Sequence, residues 1–303
     1  MGLIPCENSG LTSKSQRLPL PGFFRYVFLS ALLLAGMIHG AGINGLTVGI
    51  FPRRDAETTR EMFEPLLGYL QQELKLAVSL DVPPDFEAFW SQLEKSQYDL
   101  VHLNQYQYLR AHYQYGYNAI LKNEEMGRSD IASVIWVRKH SGIRQPKDLM
   151  GQKVTFGGGR QAMVSYIMAV DLLRQHELND GDYLSQFALN PAGAMLSLYY
   201  RQTTAAAAGD VLPYLLGLDE TIATEDFIPL LTSQPVAQLP WAVSLTLPEA
   251  LSHKIEQTMI GLKNTPSGQK LLATAGLSGF SLARDSDYDP HRHIVARVLR
   301  EHY

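Results

Sequence analysis

Two rhythms of apolar and polar positions alternate along most of this chain. Leu46–Phe51 (LTVGIF) is an apolar run of strand length, and Ala56–Leu74 carries Met62, Phe63, Leu66, Leu67 and Leu70 on one stripe at helical spacing. Leu76–Val82 reads as a second strand closed by Pro83-Pro84, and Asp85 is placed to cap a helix running to Ser96. A strand at Asp99–Leu103, a helix at Gln105–Tyr115, a short strand at Asn118–Leu121 and a long β-branched strand at Ile131–Arg138 follow. The alternation then repeats: a short helix at 146–150, strand Lys153–Phe156, helix 161–176, strand 184–189, helix 191–201 and the small-residue strand Thr204–Ala208. Strands at Ile228–Leu231 and Trp241–Thr246 precede three closing helices at 248–263, 266–275 and 288–301.

Repeated strand–helix units imply open, mostly parallel sheets covered by helices on both faces. Two such series, bridged near 131–140 and 236–246, predict an α/β molecule of two lobes. The first would take 43–136 and 242–303 and the second 137–241, with two crossing hinge segments. Ligands of such folds sit at the carboxyl ends of the strands, so the loops after strands are where chemistry is to be sought.

Composition narrows the setting. Of 303 residues 46% are apolar, enough for about two domains, and a net charge of −4 without a Lys/Arg-rich block argues against nucleic acid as a partner. Lys14, Arg17 and Arg25 precede the apolar run Tyr26–Ile38, and Gly40, Ala41 and Gly42 follow it, which is the order of a secretory signal over 1–42. The run is short of the roughly 20 residues of a membrane span, and an uncleaved N-terminal anchor is the alternative. Cys6, the single cysteine, precedes that run, so the exported part would hold no disulfide, thiolate nucleophile or cysteine metal site. Export without disulfides fits a bacterial periplasm.

Four loops offer candidate chemistry. In TFGGGRQAM (155–163), Gly157, Gly159 and Ala162 match the glycine spacing of a dinucleotide site, but no acidic residue closes the next strand and no Gly-Lys-Ser/Thr follows. The alternatives are an anion cradle, in which the N–H groups around Gly158 and Gly159 and the side chains of Arg160 and Gln161 face the ligand, or a tight turn with Arg160 in solvent. On the first alternative, Arg160→Ala should weaken anion binding by about an order of magnitude or more. Asn104, Gln105, Tyr106 and Tyr108 open a helix after the third strand, with one tyrosine expected in the core and the other in the cleft. Arg53 or Arg54 could meet an anion after the first strand or stand as a solvated pair near a helix cap, and Asp210 either contacts ligand or caps the next helix. His102, His112, His140, His176 and His253 are scattered without zinc spacing, and His291 and His293 are expected at the surface. No catalytic constellation, metal site or cofactor site is predicted.

Taken together, LTVGIFP, EPLLGYLQQEL, DFEAFWSQLEKSQYDLVHLNQYQYL, SVIWVRKHSGIRQPKDLMGQKVTFGGG, TTAAAAGD and the C-terminal LPEALSHKIEQTMIGLKNTPSGQKLLATAGLSGFSLARDSDYDP resemble the phosphate/phosphite/phosphonate-type periplasmic substrate-binding proteins of ABC transporters over about 46–292. The resemblance implies a type II two-lobe periplasmic binding fold, closure on a small anionic ligand, delivery to a membrane permease and no catalysis. A monomer is expected. Phe156-Gly157 match the family's second-lobe strand end, but Gly158-Gly159-Arg160-Gln161-Ala162-Met163 replace its aspartate-proline-x-serine-threonine-serine run, so its hydroxyl donors are gone. Tyr108 matches the tyrosine of the family's glycine-proline-x-x-tyrosine, from which Asn104 and Gln105 depart, and Asp210 stands near a frequent acidic contact. The rival expectations are a sensing module that signals to a membrane histidine kinase and an exported enzyme on the same scaffold.

Overall fold

The computed structural model describes residues 45–52, 55–214 and 223–303; the expected signal segment, Arg53 and Arg54 lie outside the described residues. Among them, no helix is long and apolar enough to cross a membrane.

The first sheet begins with β1 (Gly45–Ile50), which pairs in parallel with β2 (Ala77–Asp81) and β3 (Leu100–His102). Helix α1 (Ala56–Leu74) connects β1 to β2. Asp55 caps it by accepting from the Thr58 N–H at 2.9 Å, and Phe63, Leu66, Leu67, Leu70 and Leu74 are its buried stripe. Helix α2 (Phe86–Glu94) is capped by Asp85 in the same way, and α3 (Gln105–Tyr115) starts at the Asn104 cap and stops at Gly116. β4 (Tyr117–Glu124), β12 (Pro240–Ser244) and β13 (Gly279–Leu282) complete the order β13-β4-β12-β3-β1-β2. β13 is an edge strand that the sequence pattern did not predict. Glycine and serine alternate there with Phe280 and Leu282, a period-two pattern too short to stand out, and pairing with β4 fixes it as a strand.

The second sheet has the order β10-β6-β9-β7-β8, built from β6 (Ser133–Arg138), β7 (Lys153–Gly157), β8 (Leu184–Ala188), β9 (Ala205–Gly209) and β10 (Phe227–Thr232). A π-helical turn, Met163–Ile167, runs into α4 (Met168–Gln175) on one face, and α5 (Pro191–Tyr199) covers the other. The alanines of β9 are all buried. Ala205 and Ala207 face the cluster holding Ile167 and Met168, while Ala206 and Ala208 meet Met195 and Leu198 of α5. Small side chains on both faces let two helices approach one central strand closely.

Between the sheets lies a two-stranded ribbon, β5 (Asp130–Ile131) against β11 (Val236–Ala237). The β-branched run 131–138 therefore serves two structures. Its first residue belongs to the ribbon, and Ser133–Arg138 lies wholly in the second sheet, where the expected division at 136 would have cut it. The expected division at 242 likewise falls inside β12 of the first sheet.

Helices α6 (Glu249–Gly261) and α7 (Pro266–Thr274) return to the first lobe, and α8 (Asp289–Leu299) closes the chain. α8 touches both lobes. In its last turn the Val298 carbonyl accepts from Arg174 near the end of α4, and just beyond its end Glu301 accepts from Tyr106 Oη of α3 at 2.8 Å. His291, expected at the surface, is fully buried on α8 against Tyr288. It stands on the inner stripe of the helix with Val295, a placement that the neighbouring Arg292 and His293 disguise in the sequence.

Candidate functional site

A cleft of about 790 Å³, partly continuous with solvent, opens where the two sheets present the carboxyl ends of their strands. The first lobe lines it with Phe51, Pro52, Phe86, Asn104, Gln105 and Glu125; Ile131 and Leu239 line it at the crossing. From the second lobe come Gly157 and Gly158, Ala162 through Ser165, Leu189 through Pro191, Gly209, Val211 and Leu212. Among the described residues lining the cleft, Glu125 alone is ionisable, and its side chain is almost wholly buried.

Four helical runs begin at this cleft: α2 at Phe86, α3 at Gln105, the π-turn and α4 from Met163, and α5 at Pro191. Each start leaves N–H groups without intrahelical acceptors and carries partial positive charge. Side chains cap some of these groups: Asn104 takes the Gln107 N–H at 2.9 Å, and Asn190 takes the Gly193 N–H at 2.8 Å. The run from Met163 has no side-chain cap, so the main-chain donors of Met163, Val164 and Ser165 are left at the cleft wall. Ser165 Oγ is spent on the Gly157 carbonyl, inside the wall.

The three glycines have separate tasks. A Cβ on Gly157 would lie 2.3 Å from Pro191 Cα, so the end of β7 and the start of α5 meet only because that position is bare. Gly158 and Gly159 have φ of 85° and 77°, the left-handed region that turns the chain back into the helix.

The structure sorts the sequence candidates. Asn104, Gln105 and Gly158 line the cleft; Gly159, Arg160, Gln161, Tyr106, Tyr108 and Asp210 do not. Arg160 is exposed, donates to Tyr166 Oη at 2.9 Å and lies over the rings of Tyr166 and Phe187. Gln161 contributes its carbonyl, which accepts from Asn104 Nδ2 across the cleft at 3.5 Å. Both tyrosines are in the core rather than one in each place. Tyr108 Oη donates to Asp285 at 2.7 Å and Tyr106 Oη to Glu301, and in both, burial first and the carboxylate second raise the phenol's pKa. Tyr108 packs on Tyr288, just before α8, and Tyr106 on Tyr303, just beyond it. Asp210 is half-buried. Its Oδ2 pairs with Arg128 at 2.6 Å and its Oδ1 accepts from the Ala132 N–H at 3.2 Å, which fastens the end of β9 to the ribbon. The bond to Asp210, ahead of opposing burial, raises the pKa of Arg128.

Phe51, Phe86, Glu125, Met163, Leu189 and Asn190 were not singled out in the sequence. Asn190 has the same signal as Asn104, a capping residue directly after a strand, and that rule would have found it. Glu125 has none, since it reaches the cleft only through the β-bridge between Glu125 and Arg128.

Two α/β lobes joined by a crossing ribbon, with a cleft at the switch between them, define the type II periplasmic binding proteins. The chain belongs to the family described as "ABC transporter, phosphonate, periplasmic substrate-binding protein", which matches residues 48–288. Among solved structures it is similar to PhnD1 from Prochlorococcus marinus (MIT 9301) in complex with methylphosphonate, with a TM-score of 0.74 and 15% identity over 85% of this chain and 99% of that one. A binding-protein component of an ABC phosphonate transporter from Pseudomonas aeruginosa gives 0.72 and 14% over 84% and 86%. Among curated proteins, the tetrathionate sensor histidine kinase TtrS of Salmonella typhimurium is 27% identical over 216 residues, 67% of this chain. The chain spans only 36% of that kinase's length.

Proposed function

We propose that this protein captures a small oxyanion of the phosphonate or sulfonate kind between its lobes, in the periplasm, and hands it to the membrane permease of an ABC transporter. The observation that carries the reading is the set of uncapped N–H groups at Met163–Ser165 on the wall of a cleft where three other helices also begin. Family membership supports it independently. On this reading the lobes divide at the ribbon, closure excludes water and strengthens the main-chain contacts, the protein works as a monomer after removal of the N-terminal signal, and no bond of the ligand is broken. Gly158, Asn104 and Gln105, the sequence candidates that line the cleft, touch the ligand on this reading. Arg160 would add charge only by leaving its aromatic seat. A thermal-shift screen of residues 43–303 over phosphate, phosphite, methylphosphonate, methanesulfonate and tetrathionate tests the reading, because a ligand that binds only the native state raises the midpoint with its logarithmic excess. No shift with any of them would end it.

The similarity to a sensor histidine kinase favours a second reading, in which the closed form is read by a membrane kinase rather than a permease. Cross-linking in intact cells, with ligand present, separates the two by the partner recovered.

A further inference from the structure

Gln105 is fully buried on the cleft wall at the start of α3. Its Nε2 donates to the Ala237 carbonyl at 3.1 Å, which fixes the amide: exchanging the ends would set oxygen against oxygen. The remaining end, Oε1, accepts no hydrogen bond among the described residues. An unsatisfied buried acceptor is costly, and a ligand that donates to it relieves the cost. Opposite stand the donors of Met163, Val164 and Ser165. The first lobe thus places an unpaired side-chain acceptor, Gln105 Oε1, on the wall across from the uncapped donors of the second lobe.

We infer that the ligand is an oxyanion carrying its own hydrogen-bond donor, such as the P–OH of a phosphonate monoanion, which it gives to Gln105 Oε1 while its ionised oxygens take the N–H groups of the second lobe. This rests on the oxyanion reading above and goes further, because it sets Gln105 as a specificity residue that rejects fully ionised, donorless anions. Sulfonates and tetrathionate are of that kind.

Matched pairs test it: methylphosphonate against methanesulfonate, and phenylphosphonate against benzenesulfonate. Calorimetry is run in mildly acidic buffer, where each phosphonate is a monoanion and the members of a pair differ by one O–H. The phosphonate of a pair should bind roughly tenfold or more tightly than its sulfonate. Gln105→Met should erase most of that preference by weakening the phosphonate and tightening the sulfonate, which no longer meets an opposing oxygen. If Gln105→Met does not fold, the wild-type pairs decide alone. A sulfonate that binds as well as its phosphonate overturns the inference and leaves the oxyanion reading standing. If neither member of either pair binds, nor phosphite, phosphate or tetrathionate, the oxyanion reading fails and the inference falls with it.

Discussion

Arg297 on α8 holds Asp171 on α4 by two hydrogen bonds, Nε to Oδ1 at 2.9 Å and Nη2 to Oδ2 at 2.7 Å. The carboxylate is almost wholly buried and the guanidinium half-exposed, and the bond to Asp171 is the chief reason the arginine's pKa is raised. Because Glu301, just beyond α8, is bonded to Tyr106 of the first lobe, this pair makes the end of the chain a third link between lobes. Arg297→Ala leaves a buried carboxylate with Gln175 as its remaining side-chain partner and should destabilise the protein by about 2 kcal/mol, read as a lower urea midpoint. Asp171→Asn should cost less, since no charge is stranded.

Burial pushes the pKa of His291 down to about 3, against a smaller pull upward from the Ala237 backbone. The folded value lies below the unfolded value of about 6.5, so the unfolded chain takes up the proton first as pH falls. Stability should be fully present above about pH 6.5 and drain away towards about pH 3, by at most on the order of 5 kcal/mol from this group. In His291→Phe the slope of unfolding free energy against pH across that window should flatten, as followed by chemical denaturation.

Gly157→Ala drives a Cβ into the backbone of Pro191. Forced apart, the β7 end and the α5 start should cost about 1–3 kcal/mol of stability and spread the cleft wall. Weaker oxyanion binding together with a lower melting midpoint is the expected pair of results. Gly159→Ala, with open space around it but a φ of 77°, should cost about 1 kcal/mol and leave affinity close to wild type.

Arg160→Ala removes a side chain seated on Tyr166 and Phe187 outside the cleft lining. Affinity for the oxyanion should change by less than about threefold, well short of the order of magnitude expected from the sequence, since an exposed charge off the site is screened by solvent and salt. Calorimetry at low and moderate ionic strength measures it.

Arg128→Ala removes one of the ties between Asp210 and the ribbon and leaves those to Ala132. The loss of stability should be about 1 kcal/mol, because the pair is part-exposed. Ligand dissociation in stopped flow should quicken.

Most helices were legible because each has both a stripe and a cap. α1 and α3 run over the predicted residues, and Asp85 caps α2 as expected. The two-lobe plan was legible from the order of units. The ribbon was not, since Ile131 continues a β-branched run and only pairing shows that Ala132 separates two sheets. The cleft was legible as loops but not as side chains. Arg160 and Asp210 were natural candidates by charge, yet aromatic rings hold one and a nearer arginine the other. Gln105 stood among candidates without distinction. Its weight comes from the Ala237 carbonyl, a partner 132 positions along the chain.

The four helix starts that meet at the cleft give it attraction for an anion without a cationic side chain among the described residues lining it. An attraction made of peptide bonds does not titrate and cannot be removed by exchanging a lysine or arginine. Substitutions could therefore retune the ligand's outline at Phe86, Met163 or Leu189 while the pull towards negative charge persists, so related chains could drift from one oxyanion to another without rebuilding the site.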